Sequence, residues 1–246
     1  MQRTLHLQDG LLDLAVYVIT EPLPNRSPLE IAAAAFAGGA GVVQYRHKGA
    51  STRELFFHAG RLTALAREWG RALIINDRVD IALAVRADGV HLGPDDLPVS
   101  AARRLLGPTA IIGASVGTVE EAIEAEAEGA SYLGVGCIYG TSSKADAGDP
   151  VGPERIAAIR AAVGLPIVAI GGITRERIPE VLAAGADGAA VITAVTRAKN
   201  MTTAVRELVR AVRASANVVR AVRASANVVR AVHAGANDVR AARGGR

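Results

Sequence analysis

"GVVQYRHKGASTRELFFHAGRLTALAREWG" (residues 41–70) reads as a strand, a polar loop and a helix in one unit. Val42 and Val43 begin an apolar strand, after which Gln44, Arg46 and Lys48 set an amide, a guanidinium and an ammonium at every second position. Side chains on a strand alternate faces, so these three are expected to point the same way. Ser51 then opens a helix, with Glu54 three residues on as the partner of a capping box. Such strand–helix units build parallel sheets, because parallel neighbours need a crossover between them.

The unit recurs along most of the chain. Strand candidates are 14–19, 42–46, 72–76, 88–92, 110–114, 132–136, 166–170 and 188–192, near-continuous apolar runs that imply burial on both faces. Between them, Thr118 is placed to cap 118–129, with acidic residues in the first turn and Gly129 as its stop. Pro153 suits the first turn of 152–164, and Pro98 that of the helix beginning there. Eight repeats in about 200 residues predict an α/β fold, a single-domain (β/α)8 TIM barrel. A doubly wound open sheet competes, but it usually has fewer strands, and no Gly-x-Gly-x-x-Gly turn comes after the first one. The nearest imitation, "GVGCIYG" (134–140), comes after the sixth strand and runs into a polar loop. No Walker-type phosphate loop is present either.

Of the 246 residues 50% are hydrophobic and 3% aromatic, enough for a core of aliphatic packing. The single cysteine, Cys137, excludes an intrachain disulfide framework and suits a reducing compartment. No basic start with a long apolar run opens the chain, and no apolar stretch of ~18 residues occurs. Neither a signal peptide nor a membrane partner is expected, and the expected location is cytoplasmic.

The net charge of +4 hides an asymmetry. Residues 210–246 carry eight Arg against one Asp, a local +7, which leaves residues 1–209 at −3. Within that tail "RAVRASANVV" occurs twice (210–219 and 220–229) and decays to "RAVHAGANDV" (230–239). A ten-residue period turns about 1000° around a helix, so equivalent positions drift by roughly 80° per repeat and no apolar stripe persists. The expected organisation is a catalytic barrel over 1–209 and a basic repeat tail over 210–246, a helical extension or disordered, without which catalysis survives. The tail has no aromatic residue, and nucleic acid is not an expected partner.

Function is legible at the end of each strand. Gln44, Arg46 and Lys48 come after the second, Asn76 and Asp77 after the third, Asp95 and Asp96 after the fourth, and Ser115 after the fifth. Thr141, Ser143 and Lys144 come after the sixth, Gly171 and Gly172 after the seventh, Thr193 after the eighth. All lie at carboxyl ends, where barrel enzymes carry their chemistry. Arg46, Lys48, Lys144, Ser115, Thr141 and Ser143 are cations and donors suited to phosphate, whereas Asp77 and Asp96 suit a hard divalent ion. Magnesium binds through one or two carboxylates plus substrate phosphate oxygens, so the pairing implies a metal-bound diphosphate. Glycines after the seventh strand let backbone N–H groups approach a second phosphate. No nucleophile-and-base pair stands out, and the expected chemistry is departure of diphosphate under charge stabilisation. Simpler roles compete residue by residue: Asp77 and Asp96 as helix caps, His91 as a structural barrel residue, Cys137 as a buried filler, Gly171 and Gly172 as turn formers.

"QYRHKGAS" (44–51), "INDRVDIALAVRADGVHLGPDDLP" (75–98), "IGASVGTVEEA" (112–122), "YLGVGCIYGTSSK" (132–144) and "IVAIGGIT" (167–174), in this order, resemble thiamine phosphate synthases over roughly residues 14–205. "IGGI" alone occurs in many phosphate-binding barrels; Asn76-Asp77 with a second Asp nineteen residues later is more specific. The resemblance implies a transferase that joins 4-amino-2-methyl-5-hydroxymethylpyrimidine diphosphate to 4-methyl-5-(2-phosphoethyl)thiazole, giving thiamine phosphate and diphosphate. It implies that Gln44, Arg46, Lys48, Asn76, Ser115 and Lys144 bind the pyrimidine diphosphate, with Arg46, Lys48 and Lys144 catalytic. By the same resemblance Asp77 and Asp96 ligate Mg2+, and Thr141, Ser143, Gly172, Ile192 and Thr193 hold the thiazole phosphate. His47 stands where the family commonly has an acidic residue, Pro94 where it has Gln, and "IYGTSSK" replaces a Phe-Pro turn. Two other functions compete: a thiazole tautomerase-like barrel, which does not need the metal and diphosphate set, and a phosphate-ligand-binding barrel whose tail contacts nucleic acid.

Overall fold

The computed structural model describes residues 5–7, 10–140 and 149–218. A short antiparallel ribbon, β1 (Leu5–Leu7) with β2 (Gly10–Leu12), lies outside the strand candidates and precedes the main sheet. The main sheet runs through β3 (Val16–Ile19), β4 (Val42–Tyr45), β5 (Ala72–Asn76) and β6 (Gly89–Leu92). It continues through β7 (Ile111–Val116), β8 (Tyr132–Val135), β9 (Ile167–Ile170) and β10 (Gly188–Val191). Each strand pairs in parallel with the next, and β10 pairs with β3 to close an eight-stranded barrel. The predicted (β/α)8 barrel is therefore the observed fold.

Each strand leads into a helix: α1 (Pro28–Gly38), α2 (Thr52–Glu68), α3 (Val79–Val85), α4 (Val99–Leu106), α5 (Val119–Ala127), α6 (Gly152–Ala162), α7 (Ile178–Ala183) and the short α8 (Thr193–Thr196). Local chemistry starts several of them where the sequence says it should. Ser51 Oγ accepts from the Glu54 N–H at 3.3 Å while the Glu54 carboxylate takes the Ser51 N–H at 2.8 Å, and Thr118 caps α5 in the same reciprocal way with Glu121. Each such cap is worth about 1 kcal/mol. Pro153 lies in the first turn of α6; Pro98 stands one step earlier than expected, as the N-cap residue of α4.

Strand parity divides the interior into two cores. Val16, Val18, Val43, Tyr45, Leu73 and Ile75 face outward under the helices. Tyr17, Ile19, Val42, Ile74, Tyr132 and Val168 face into the lumen with Leu12 and Leu14. Gln44 shares the lumen parity of Val42 and is 2% exposed, so an amide sits inside the barrel and needs a partner there.

A final helix spans 201–218 and passes residue 210 without a break. Val205, Leu208 and Val212 are buried along it, so the first repeat copy contributes an apolar side chain to the barrel's covering. Residue 219 and the later copies, 220–246, lie outside the described residues. Removing residues 219–246 should leave melting temperature and turnover unchanged; a cut after residue 209 should destabilise by about 2 kcal/mol through loss of the Val212 contact. Thermal melts of the two truncations check this. Among the described residues no helix is long and apolar enough to cross a membrane.

Candidate active site at the barrel mouth

Gln44, Arg46, Asn76, Ser115, Gly172, Ile192 and Thr193 line one cavity at the carboxyl end of the barrel. Gln44 reaches it from within β4, and Arg46 from the first residue beyond that strand. The Arg46 backbone is held in place by Thr20, whose hydroxyl oxygen accepts the Arg46 N–H at 3.0 Å. Lys48 behaves differently from the expectation of three groups along one strand face: β4 ends at Tyr45, and Lys48 belongs to the turn beyond it. It is half-exposed, and its Nζ lies 3.9 Å from Asp77 Oδ2.

Asp77 leaves β5 with φ +63°, a left-handed conformation that Asp tolerates better than most residues. Its N–H donates to the His91 carbonyl at 2.8 Å, which fixes the turn. The helix-cap reading fails here, because α3 starts after Arg78 without any side-chain cap. Asp96 closes its own loop instead: Oδ2 accepts the Gly93 N–H at 2.7 Å around Pro94. The two carboxyls, nineteen residues apart in sequence, are close enough to act on one another. Burial pushes the Asp77 carboxyl up to about 6; the neighbouring Asp96 carboxyl acts in the same sense, while Lys48 and Arg46 pull it down. A like charge so near favours the protonated form of a carboxyl, which a bound cation would reverse.

The opposite side of the cavity is built from backbone. Gly172 has φ +65°, and a Cβ there would lie 2.4 Å from the Gly140 oxygen, so this turn admits only glycine. Arg177 Nη1 donates to the Gly172 carbonyl at 2.7 Å and stacks over the Tyr139 ring at 4.4 Å, anchoring the segment that departs from the Phe-Pro pattern. Ile192 and Thr193 lie where β10 turns into α8. Thr141, Ser143 and Lys144 fall in 141–148, outside the described residues. His47 faces a separate depression shared with Tyr45 and His58.

Tyr17, His91 and Cys137 also line the main cavity, beyond the site residues expected from sequence. A signal for Tyr17 exists: a phenol inside a strand buried on both faces must find a hydrogen-bond partner within the barrel.

Residues 16–195 match the family model described as thiamine monophosphate synthase. The chain belongs to this family. A thiamine-phosphate synthase of Moorella thermoacetica is 50% identical over 200 residues, covering 81% of this chain and 95% of that relative. One from Chlorobium luteolum is 52% identical over 192 residues, covering 78% and 90%. Among solved structures, a thiamine phosphate pyrophosphorylase from Pyrococcus furiosus superposes with TM-score 0.76 at 42% identity, covering 83% of this chain and 98% of that one. The span matched by the family model takes in every strand of the barrel and stops short of the repeats in the tail.

Proposed function

We propose that this thiamine monophosphate synthase family member joins 4-amino-2-methyl-5-hydroxymethylpyrimidine diphosphate to 4-methyl-5-(2-phosphoethyl)thiazole, forming thiamine phosphate and diphosphate. The observation that carries the reading is Asp77 set against Asp96 with Lys48 and Arg46 near enough to act on its charge, next to the cavity that Arg46 and Asn76 line. Cations for a leaving diphosphate and paired carboxylates for its counter-ion then stand together.

Gln44 and Asn76 orient the pyrimidine by hydrogen bonds. The methylene C–O bond breaks with its electron pair going to diphosphate, and the thiazole nitrogen lone pair forms the new C–N bond. Arg46, Lys48, Lys144 and Ser115 stabilise the oxygen charge that grows during this cleavage, where a preorganised donor acts most strongly. Backbone at Gly172, Ile192 and Thr193, with Thr141 and Ser143, holds the thiazole phosphate. Ile170 and Ile173 in the cavity wall exclude water from the cation.

The residues fit Mg2+. Asp77 and Asp96 offer hard oxygen donors with a surplus of negative charge, and among the described residues no cluster of three or more His, Cys, Asp or Glu exists to cage a metal. Magnesium held by two carboxylates takes its other ligands from substrate phosphate and water. When bound it supplies Lewis-acid neutralisation of the leaving group.

The raised Asp77 carboxyl gives a pH prediction. The folded state binds this proton more tightly than the unfolded chain does, so it contributes stability in acid that is lost as pH rises through about 6. Metal must displace the same proton. Mg2+ affinity should therefore be flat above about pH 6 and fall by up to about tenfold per pH unit below it. Calorimetric Mg2+ titrations at pH 5 and pH 8 check this.

The enzyme acts on small molecules, and we place it in the cytoplasm, where a single reduced cysteine and phosphorylated substrates are at home. Incubating it with both substrates and Mg2+ should release thiamine phosphate and diphosphate in equal amounts. Isomerisation of a thiazole without coupling would instead make it a tautomerase.

A further inference from the structure

Below the mouth, five side chains from five strands form one hydrogen-bonded line across the lumen. Gln44 Nε2 donates to Tyr17 Oη at 2.9 Å, and Tyr17 Oη lies 2.8 Å from Tyr132 Oη. Tyr132 Oη lies 2.9 Å from His91 Nδ1, and His91 Nε2 lies 2.9 Å from Ser115 Oγ. The backbone makes room for the line: a Cβ on Gly113 would come within 2.2 Å of Tyr132 Cζ and 2.4 Å of His91 Nδ1. Tyr17 and Tyr132 are each 1% exposed, and burial raises the pKa of both phenols, so each keeps its single proton.

One proton per hydroxyl makes the line directional. Tyr17 accepts from Gln44, so its own proton goes to Tyr132. Tyr132 then has one acceptor left to satisfy, His91 Nδ1. His91 must carry its proton on Nε2 and donate it to Ser115, whose hydroxyl proton is then turned toward the cavity. Turning the Gln44 amide over would reverse all four bonds. Ser115 would then spend its proton on His91 and offer only lone pairs to an arriving anion.

We propose that this line runs from Gln44 to Ser115, and that Tyr17, Tyr132 and His91 are positioning residues whose task is to aim the Ser115 O–H at the leaving diphosphate. The diphosphate target rests on the function proposed above; the direction of the line does not. The same polarity leaves the Gln44 carbonyl oxygen as the acceptor presented to the pyrimidine.

The test joins a spectroscopic and a kinetic reading. In the full chain labelled with 15N-histidine, the His91 signals, assigned among five histidines by their loss in His91→Gln, should show a protonated Nε2 and a bare Nδ1. Gln at position 91 extends an amide nitrogen to the level of Nε2, whereas Asn reaches only the level of Nδ1. His91→Gln should therefore keep kcat within about threefold of the parent, while His91→Asn should lose about tenfold in kcat with KM nearly unchanged, the scale of one hydrogen bond in a dry site. In a Ser115→Ala background the difference between the two variants should vanish, which a merely structural role for His91 would not produce. A proton on Nδ1, or equal kcat for the Gln and Asn variants with Ser115 present, overturns the proposal. If Ser115→Ala alone has a normal rate while the Nε2–H tautomer is found, the diphosphate role of Ser115 fails and the direction of the line stands.

Discussion

Asp77→Asn and Asp96→Asn are each expected to cut Mg2+-dependent turnover by roughly 10³-fold or more while the barrel remains folded, since a bound metal supplies several kcal/mol of charge stabilisation to the leaving group. Asn is the informative replacement at position 77. It tolerates the left-handed backbone found there, at φ +63°, nearly as well as Asp, so the loss cannot be assigned to strain. At position 96 the amide oxygen still accepts the Gly93 N–H that closes the loop, so the loop shape persists while the charge goes. Steady-state rates across a Mg2+ titration, with a thermal melt of each variant, measure the effect. Near-normal rates in either would remove the metal assignment.

Arg46→Ala is the second large effect, a fall in kcat of roughly 10²-fold or more, the cost of removing one donor aimed at developing charge. The guanidinium lines the cavity beside Gln44, and its backbone is held by the Thr20 hydroxyl, so it is in place before substrate arrives. Lys48 is half-exposed and pairs with Asp77 at 3.9 Å, so Lys48→Ala should cost less. A change in KM alone for Arg46→Ala would mean that it binds substrate without favouring the transition state.

How far the sequence shows this site depends on how far apart the interacting residues lie. Ser51 with Glu54, and Thr118 in front of the acidic turn of α5, are readable because both partners sit within one helical turn. The strands are readable because burial on two faces leaves a continuous apolar run. Lys48 marks the limit of the alternation rule, which holds only as far as β4 extends and does not govern the turn beyond Tyr45. The approach of Asp77 to Asp96 depends on the pairing of β5 with β6, and the line from Gln44 to Ser115 on closure of the sheet. Tyr17 and Tyr132 meet across the lumen only because β10 pairs with β3 and completes the ring. Nothing in the spacing of two tyrosines 115 residues apart states that they touch.

The central claim, a mouth that grips departing diphosphate between cations and a carboxylate-held ion, is tested most directly by a crystal structure of the protein with Mg2+ and diphosphate. The expected density has diphosphate oxygens on Arg46 and Ser115 with the ion between Asp77 and Asp96. Diphosphate seated at Gly172 and Thr193 alone, or an ion bound away from both aspartates, would contradict it.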